Sequence, residues 1–133
     1  MTGSLQGAGK ISEHAEQVRF ISMFRKTWPD VRIIAIPNGG WRDIRTAARL
    51  KAEGVTPGVP DLFIPEWKVF IEMKRAKGGN LSASQKDWIE HLNNIGYRAF
   101  VCAGAEDAMN TATAERRRQL CQSFLSDGTG NNP

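Results

Sequence analysis

The chain has 133 residues, with 18 lysines and arginines against 14 aspartates and glutamates, a net charge of +4 and a pI near 9.4. Its apolar content of 41% and charged content of 24% are those of an ordinary globular protein, and the length suits one domain with a real core. No apolar run reaches membrane-spanning length, and Cys102 and Cys121 lack any CxxC or Cys/His spacing that would suggest zinc.

Residues 1–10, rich in Gly, Ser and Gln, read as a disordered segment. The folded domain is expected over 11–125 and a flexible polar tail over 126–133. Ser12 and the run Glu13 to Trp28 predict a helix with Val18, Phe20, Ile21 and Phe24 on its apolar side, ended by Pro29-Asp30. Val31 to Ile36 is β-branched and apolar, a strand, and Pro37-Asn38-Gly39-Gly40 is a loop that can approach a bound backbone closely or be a plain turn. Trp41 to Glu53 predicts a short helix closed by Gly54. Its Arg42, Arg45 and Arg49 form one stripe, which is either a solvated face or a phosphate-contact surface.

The runs Gly58 to Ile64 and Val69 to Lys74 read as two strands around Pro65-Glu66-Trp67-Lys68. Lys77 to Asn80 is a flexible loop. Ser82 to Ile95 predicts a helix with Trp88, Ile89, Leu92 and Ile95 inward, ended by Gly96. Arg98 to Ala103 is a strand, and Ala105 to about Phe124 is helical. A helix between the hairpin and the last strand makes that final pairing parallel, in a mixed α/β domain.

The hairpin carries the informative chemistry. With a loop of two or four residues, paired positions sum to 133, so Asp61 lies opposite Glu72. Lys74, two residues on, shares their face. Like charges placed opposite one another destabilise a strand pair. A hard divalent cation between them removes that cost, although an ordinary ion-pair cluster with Lys74 fits the spacing too. Trp67, at the turn tip, is the tryptophan placed to be exposed. His14 and His91 are isolated surface histidines.

Pro60-Asp61 followed by Glu72-Met73-Lys74 resembles the PD-(D/E)XK nuclease signature. The wider set is similar to the VRR-NUC family within that superfamily: Glu16-Gln17, Pro37 to Gly40, Gly54 to Leu62, Ile71 to Lys74, Leu81 to Gln85 and Gly96 to Arg98. Together these cover most of residues 13–110. The resemblance implies an αβββαβ core and a divalent-metal-dependent DNA endonuclease of junction-resolving, repair or recombination type. Its partner is branched DNA and its assembly a homodimer. With no membrane segment and no signal peptide in view, the expected setting is the cytoplasm of a bacterial or phage-infected cell.

On that resemblance, Asp61 and Glu72 bind Mg²⁺ or Mn²⁺ directly, with the Met73 main-chain carbonyl as a further ligand. Lys74 positions or deprotonates the attacking water or steadies the phosphate. A first-helix glutamate completes the site; Glu16 is favoured, with Glu13 on a similar face as its competitor. Gln85 is either a capping-box residue with Ser82 or a group reaching the metal water or a phosphate. Asn38, Gly39, Arg42, Arg45, Arg49, Arg75 and Lys77 are the expected DNA contacts.

Overall fold

Residues 11–37 and 43–129 are described in this computed structural model. Ser12 starts the first helix by accepting the Ala15 amide at 3.1 Å on its hydroxyl, and α1 runs Glu13–Thr27. Phe20 and Phe24, one turn apart, are fully buried, and Glu16 continues the same stripe toward the helix start. Val18 is 56% exposed, against its expected place on the apolar side. At 3.6 residues per turn it lies about 160° around the helix from Phe20.

Strand β1 comprises Ile34–Ala35, shorter than the expected 31–36. One reason is where two preceding amides go: Val31 donates to the Trp28 carbonyl and Arg32 to the Glu66 carboxylate at 3.0 Å, so neither joins the ladder. Helix α2 is Ile44–Ala52, capped by Asp43, whose carboxylate accepts the Thr46 amide at 2.8 Å. Strands β2 (Leu62–Ile64) and β3 (Val69–Lys74) form the hairpin. Leu62 pairs with Ile71 and Ile64 with Val69, the register expected from a four-residue connection.

That connection is a 3₁₀ turn, Pro65–Trp67, closed by Lys68 in the left-handed region at φ 56°. It rolls Trp67 inward, so the indole is buried between Phe24 and Trp28 at centroid distances of 5.4 and 5.2 Å. The expectation of an exposed tryptophan at the tip is therefore corrected.

Helix α3 (Ala83–Asn94) crosses over to β4 (Arg98–Ala103), which pairs parallel to β3. The sheet order is β1-β2-β3-β4. Leu92 is buried, while Trp88 and Ile89 are half-buried. Ile95, expected inward, is exposed because it is the C-cap, outside the helical phase. Helix α4 runs Ala105–Thr129 and enters the segment from Ser126 expected to be tail. The core lies between one sheet face (Leu62, Ile64, Val69, Ile71, Met73) and α1 and α4, where Ala105, Ala108 and Ala112 let α4 pack closely. Glu115 follows on that stripe and is buried in a two-pronged bond to Arg98 at 2.8 and 2.9 Å. Both cysteines are free; burial pushes the Cys102 thiol up to about 11. Among the described residues no helix is long and apolar enough to cross a membrane.

Candidate active site

Strand alternation sends Ile71 and Met73 into the core and Glu72 and Lys74 to the opposite face, under α3. Asp61 precedes β2, and the observed register carries it to the level of Glu72. Its Oδ2 accepts the Met73 amide at 2.8 Å, which fixes the carboxylate against β3. The approach to Asp61 needs glycine at 58: φ is +90°, and a Cβ there would lie 2.6 Å from the Ser84 carbonyl carbon. Without a side chain, this segment passes directly beneath the start of α3.

The α3 start delivers Gln85. The Ser82 hydroxyl accepts the Gln85 amide at 3.2 Å, and Gln85 Oε1 accepts the Ser82 amide at 2.9 Å, a complete capping box. The same carboxamide reaches the sheet: Oε1 also accepts from Lys74 Nζ at 3.0 Å, and Nε2 donates to Glu72 Oε1 at 2.8 Å. Capping and the site, which stood as alternatives in the sequence, are served by one side chain.

Glu72 is 1% exposed, and Lys74 Nζ stands 3.5 Å from its Oε1. Its Oε2 is buried with no hydrogen-bond partner. Burial, then the neighbouring Asp61 charge, push the Glu72 carboxyl up to about 8; Lys74 opposes this and Glu13 adds to it. A buried acidic oxygen without a partner, beside further carboxylates, is the chemistry that a hard cation satisfies.

The third carboxylate is Glu13. Oxygens of Glu13, Asp61 and Glu72 all lie within 4.8 Å of one another. The choice between the two first-helix glutamates thus differs from the expectation, since Glu16 is not in this group. Glu16 is one turn further along α1, buried, with Oε1 unpartnered and Oε2 beside Gly104 at the start of α4. The difference arises from how α1 sits on the sheet: its first turn, not its second, reaches the acidic pair.

Arg45 and Arg49 are exposed on α2, which buries no residue, and Arg49 pairs with Glu53 at 3.4 Å. Arg75 and Lys77 are exposed just beyond Lys74, with the Arg75 guanidinium donating to the Gly78 carbonyl at 3.1 Å. Asn38, Gly39 and Arg42 lie outside the described residues. His14 and His91 are exposed and apart from the acidic cluster.

A family model described as the VRR-NUC domain matches residues 31–106. That span includes Asp61, Glu72, Lys74 and Gln85; Glu13 precedes it and joins the site through the fold. A solved structure named "VRR_NUC domain protein" has the same fold. It is 24% identical, with a TM-score of 0.64, over 78% of this chain and 87% of that one. No curated protein matches significantly.

Proposed function

The chain belongs to the VRR-NUC domain family, within the PD-(D/E)XK nuclease superfamily, and from this premise we propose that it is a divalent-metal-dependent DNA endonuclease acting on branched DNA. The observation that carries the reading is the partnerless, buried Oε2 of Glu72 within the Glu13–Asp61–Glu72 cluster. Those three carboxylates would hold Mg²⁺ or Mn²⁺, with the Met73 main-chain carbonyl as a further candidate next to the amide that Asp61 anchors. When bound, such an ion supplies a polarised phosphoryl oxygen and an acidified water.

The remaining work falls to residues of the chain. Lys74, steered by the Gln85 carboxamide, presents its ammonium beside Glu72 to the attacking water or to a phosphate oxygen. Gln85 also orients Glu72, leaving its second oxygen for the cation. Arg45, Arg49, Arg75 and Lys77 offer exposed positive charge for backbone phosphates, a grip on shape rather than sequence. Asn38, Gly39 and Arg42 complete the proposed contact set. Two copies acting together would cut both strands of a symmetric junction.

A pure binding module has no use for opposed carboxylates around a buried, unpaired oxygen. The test is Mg²⁺-dependent cleavage of duplex, flap, splayed-arm and four-way-junction DNA, beside Asp61→Ala and Lys74→Ala. Cleavage of the branched substrates, lost in both variants, is expected. Cleavage that survives both substitutions would remove the site assignment, and binding without cleavage in Mg²⁺ and Mn²⁺ would remove the enzyme.

A further inference from the structure

We infer that the cavity between the hairpin turn and α4 is an anion site, which takes a phosphate group at the far end of the sheet from the acidic cluster. The cavity holds about 300 Å³, at the small end of ligand sites, and Lys68, Arg98, Arg118, Gln119 and Gln122 line it. Three elements bring those side chains together: the turn, the first residue of β4, and α4. Strand β3 runs from Val69, the partner of Arg98, to Lys74 in the acidic site, about 17 Å at 3.3 Å per residue. The cations at this end therefore meet a different group from the one held at Glu72.

The fold does not neutralise this charge by itself. Arg98 closes both oxygens of the buried Glu115 with Nε and Nη2, at 2.8 and 2.9 Å, and leaves Nη1 to donate elsewhere. Arg118 stands 3.9 Å from the same carboxylate, too far for a hydrogen bond. Lys68 forms no ion pair among the described residues. Glu66, on the rim, accepts the Arg32 amide on Oε2 at 3.0 Å. Gln119 donates one N–H to the Trp67 carbonyl at 3.1 Å and has a second to offer. The backbone of Lys68 points the same way. Its φ of 56° lies in the region that favours glycine. That conformation is held by its amide donating to the Pro65 carbonyl at 3.2 Å and its carbonyl accepting the Arg98 amide at 3.0 Å. Glycine would close this turn with less strain; lysine sets an ammonium on a fixed backbone beside the same cavity as two guanidiniums. Guanidinium forks and an ammonium together suit a phosphate, whose oxygens accept from several directions at once. The phosphate comes either on a small molecule or on the backbone of a DNA arm. None of these residues belongs to the acidic site, so the inference does not rest on the nuclease reading.

The test is a titration of the full chain followed by amide NMR, in chelator and at constant ionic strength. The probes are inorganic phosphate, deoxyadenosine monophosphate and a short DNA duplex. Saturable shifts are expected at the amides of Lys68, Arg98 and Gln119. Lys68→Gly and Arg118→Gln should each weaken phosphate binding at least about tenfold, the loss of one charged hydrogen bond. Lys68→Gly suits the turn and Arg118 makes only a long ion pair, so both should fold, which circular dichroism checks. Lys74→Ala should bind phosphate at these amides as the unaltered chain does. The same shifts at lower concentrations of the mononucleotide than of the duplex mark a small-molecule source, and the reverse order marks a DNA arm; both support the site. No saturable shift with any probe overturns the inference. So does binding that survives both Lys68→Gly and Arg118→Gln, or that is lost in Lys74→Ala. Because Lys74→Ala removes the expected cleavage and not this site, failure of either reading is visible apart from the other.

Discussion

Gln85 donates its carboxamide N–H to Glu72 Oε1 at 2.8 Å, from a helix start that this same carboxamide caps. The oxygen end of the group takes the Lys74 ammonium at 3.0 Å. One side chain therefore ties the start of α3 to the sheet and holds two site residues.

Substituting Gln85 should separate these roles. Gln85→Ala loses both and should cost about 1 kcal/mol of stability, with a fall in cleavage of about 10–100-fold. Gln85→Glu keeps an acceptor for the Ser82 amide but sets a carboxylate against Glu72. It should therefore retain the helix start while losing cleavage. Thermal melts beside single-turnover cleavage check this; full cleavage by Gln85→Glu would mean that Gln85 acts only as a cap.

The raised Glu72 carboxyl predicts a pH dependence of fixed sign. A carboxyl near 8 in the folded chain, against an ordinary value of 4.5, binds its proton more tightly when folded. Its contribution to stability is complete below about pH 4.5 and is lost as pH rises through about 8. Without metal, the unaltered chain should lose stability relative to Glu72→Gln across that window. Added Mn²⁺ should reverse the trend, because cation binding expels the proton. Urea unfolding at pH 5, 6, 7 and 8, with chelator or with Mn²⁺, measures it; parallel curves for the two proteins would contradict it.

Glu13 and Glu16 should respond differently. Glu13→Gln removes an oxygen of the acidic cluster and should cut both Mn²⁺ affinity and cleavage by at least about tenfold. Glu16→Gln should leave Mn²⁺ affinity nearly unchanged, since its carboxylate faces Gly104. Calorimetric Mn²⁺ titration of the two variants decides. The reverse pattern would restore Glu16 as the ligand.

The hairpin register was legible because strand alternation is local: counting across an even loop brings Asp61, Glu72 and Lys74 to one face. The glutamate of α1 was not, since Glu13 and Glu16 share a helical face and only the seating of α1 on the sheet separates them. Trp67 was misread because a 3₁₀ turn reverses which way the tip points, which composition does not encode. The extent of α4 was hidden for another reason: its last turns are polar apart from a few large residues and stay exposed.

Gly104 tests the seat of Glu16. Its φ is +93°, and a Cβ there would sit 2.5 Å from Glu16 Oε2. Gly104→Ala should destabilise the fold by about 1–3 kcal/mol through backbone strain and overpacking. Urea unfolding reads the change, and a loss under about 0.5 kcal/mol, the range of ordinary surface substitutions, would show that the contact is slack.

The central claim is that the facing Asp61–Glu72 pair, completed by Glu13, is a cation-dependent cleavage centre. The most direct measurement is the single-turnover rate of four-way-junction cleavage against Mg²⁺ concentration, for the unaltered chain and for Glu72→Gln shown to be folded. A saturable Mg²⁺-dependent rate in the first and a loss of at least about 10²-fold in the second is the predicted result. Cleavage that needs no divalent ion, or equal rates in the two proteins, would contradict it.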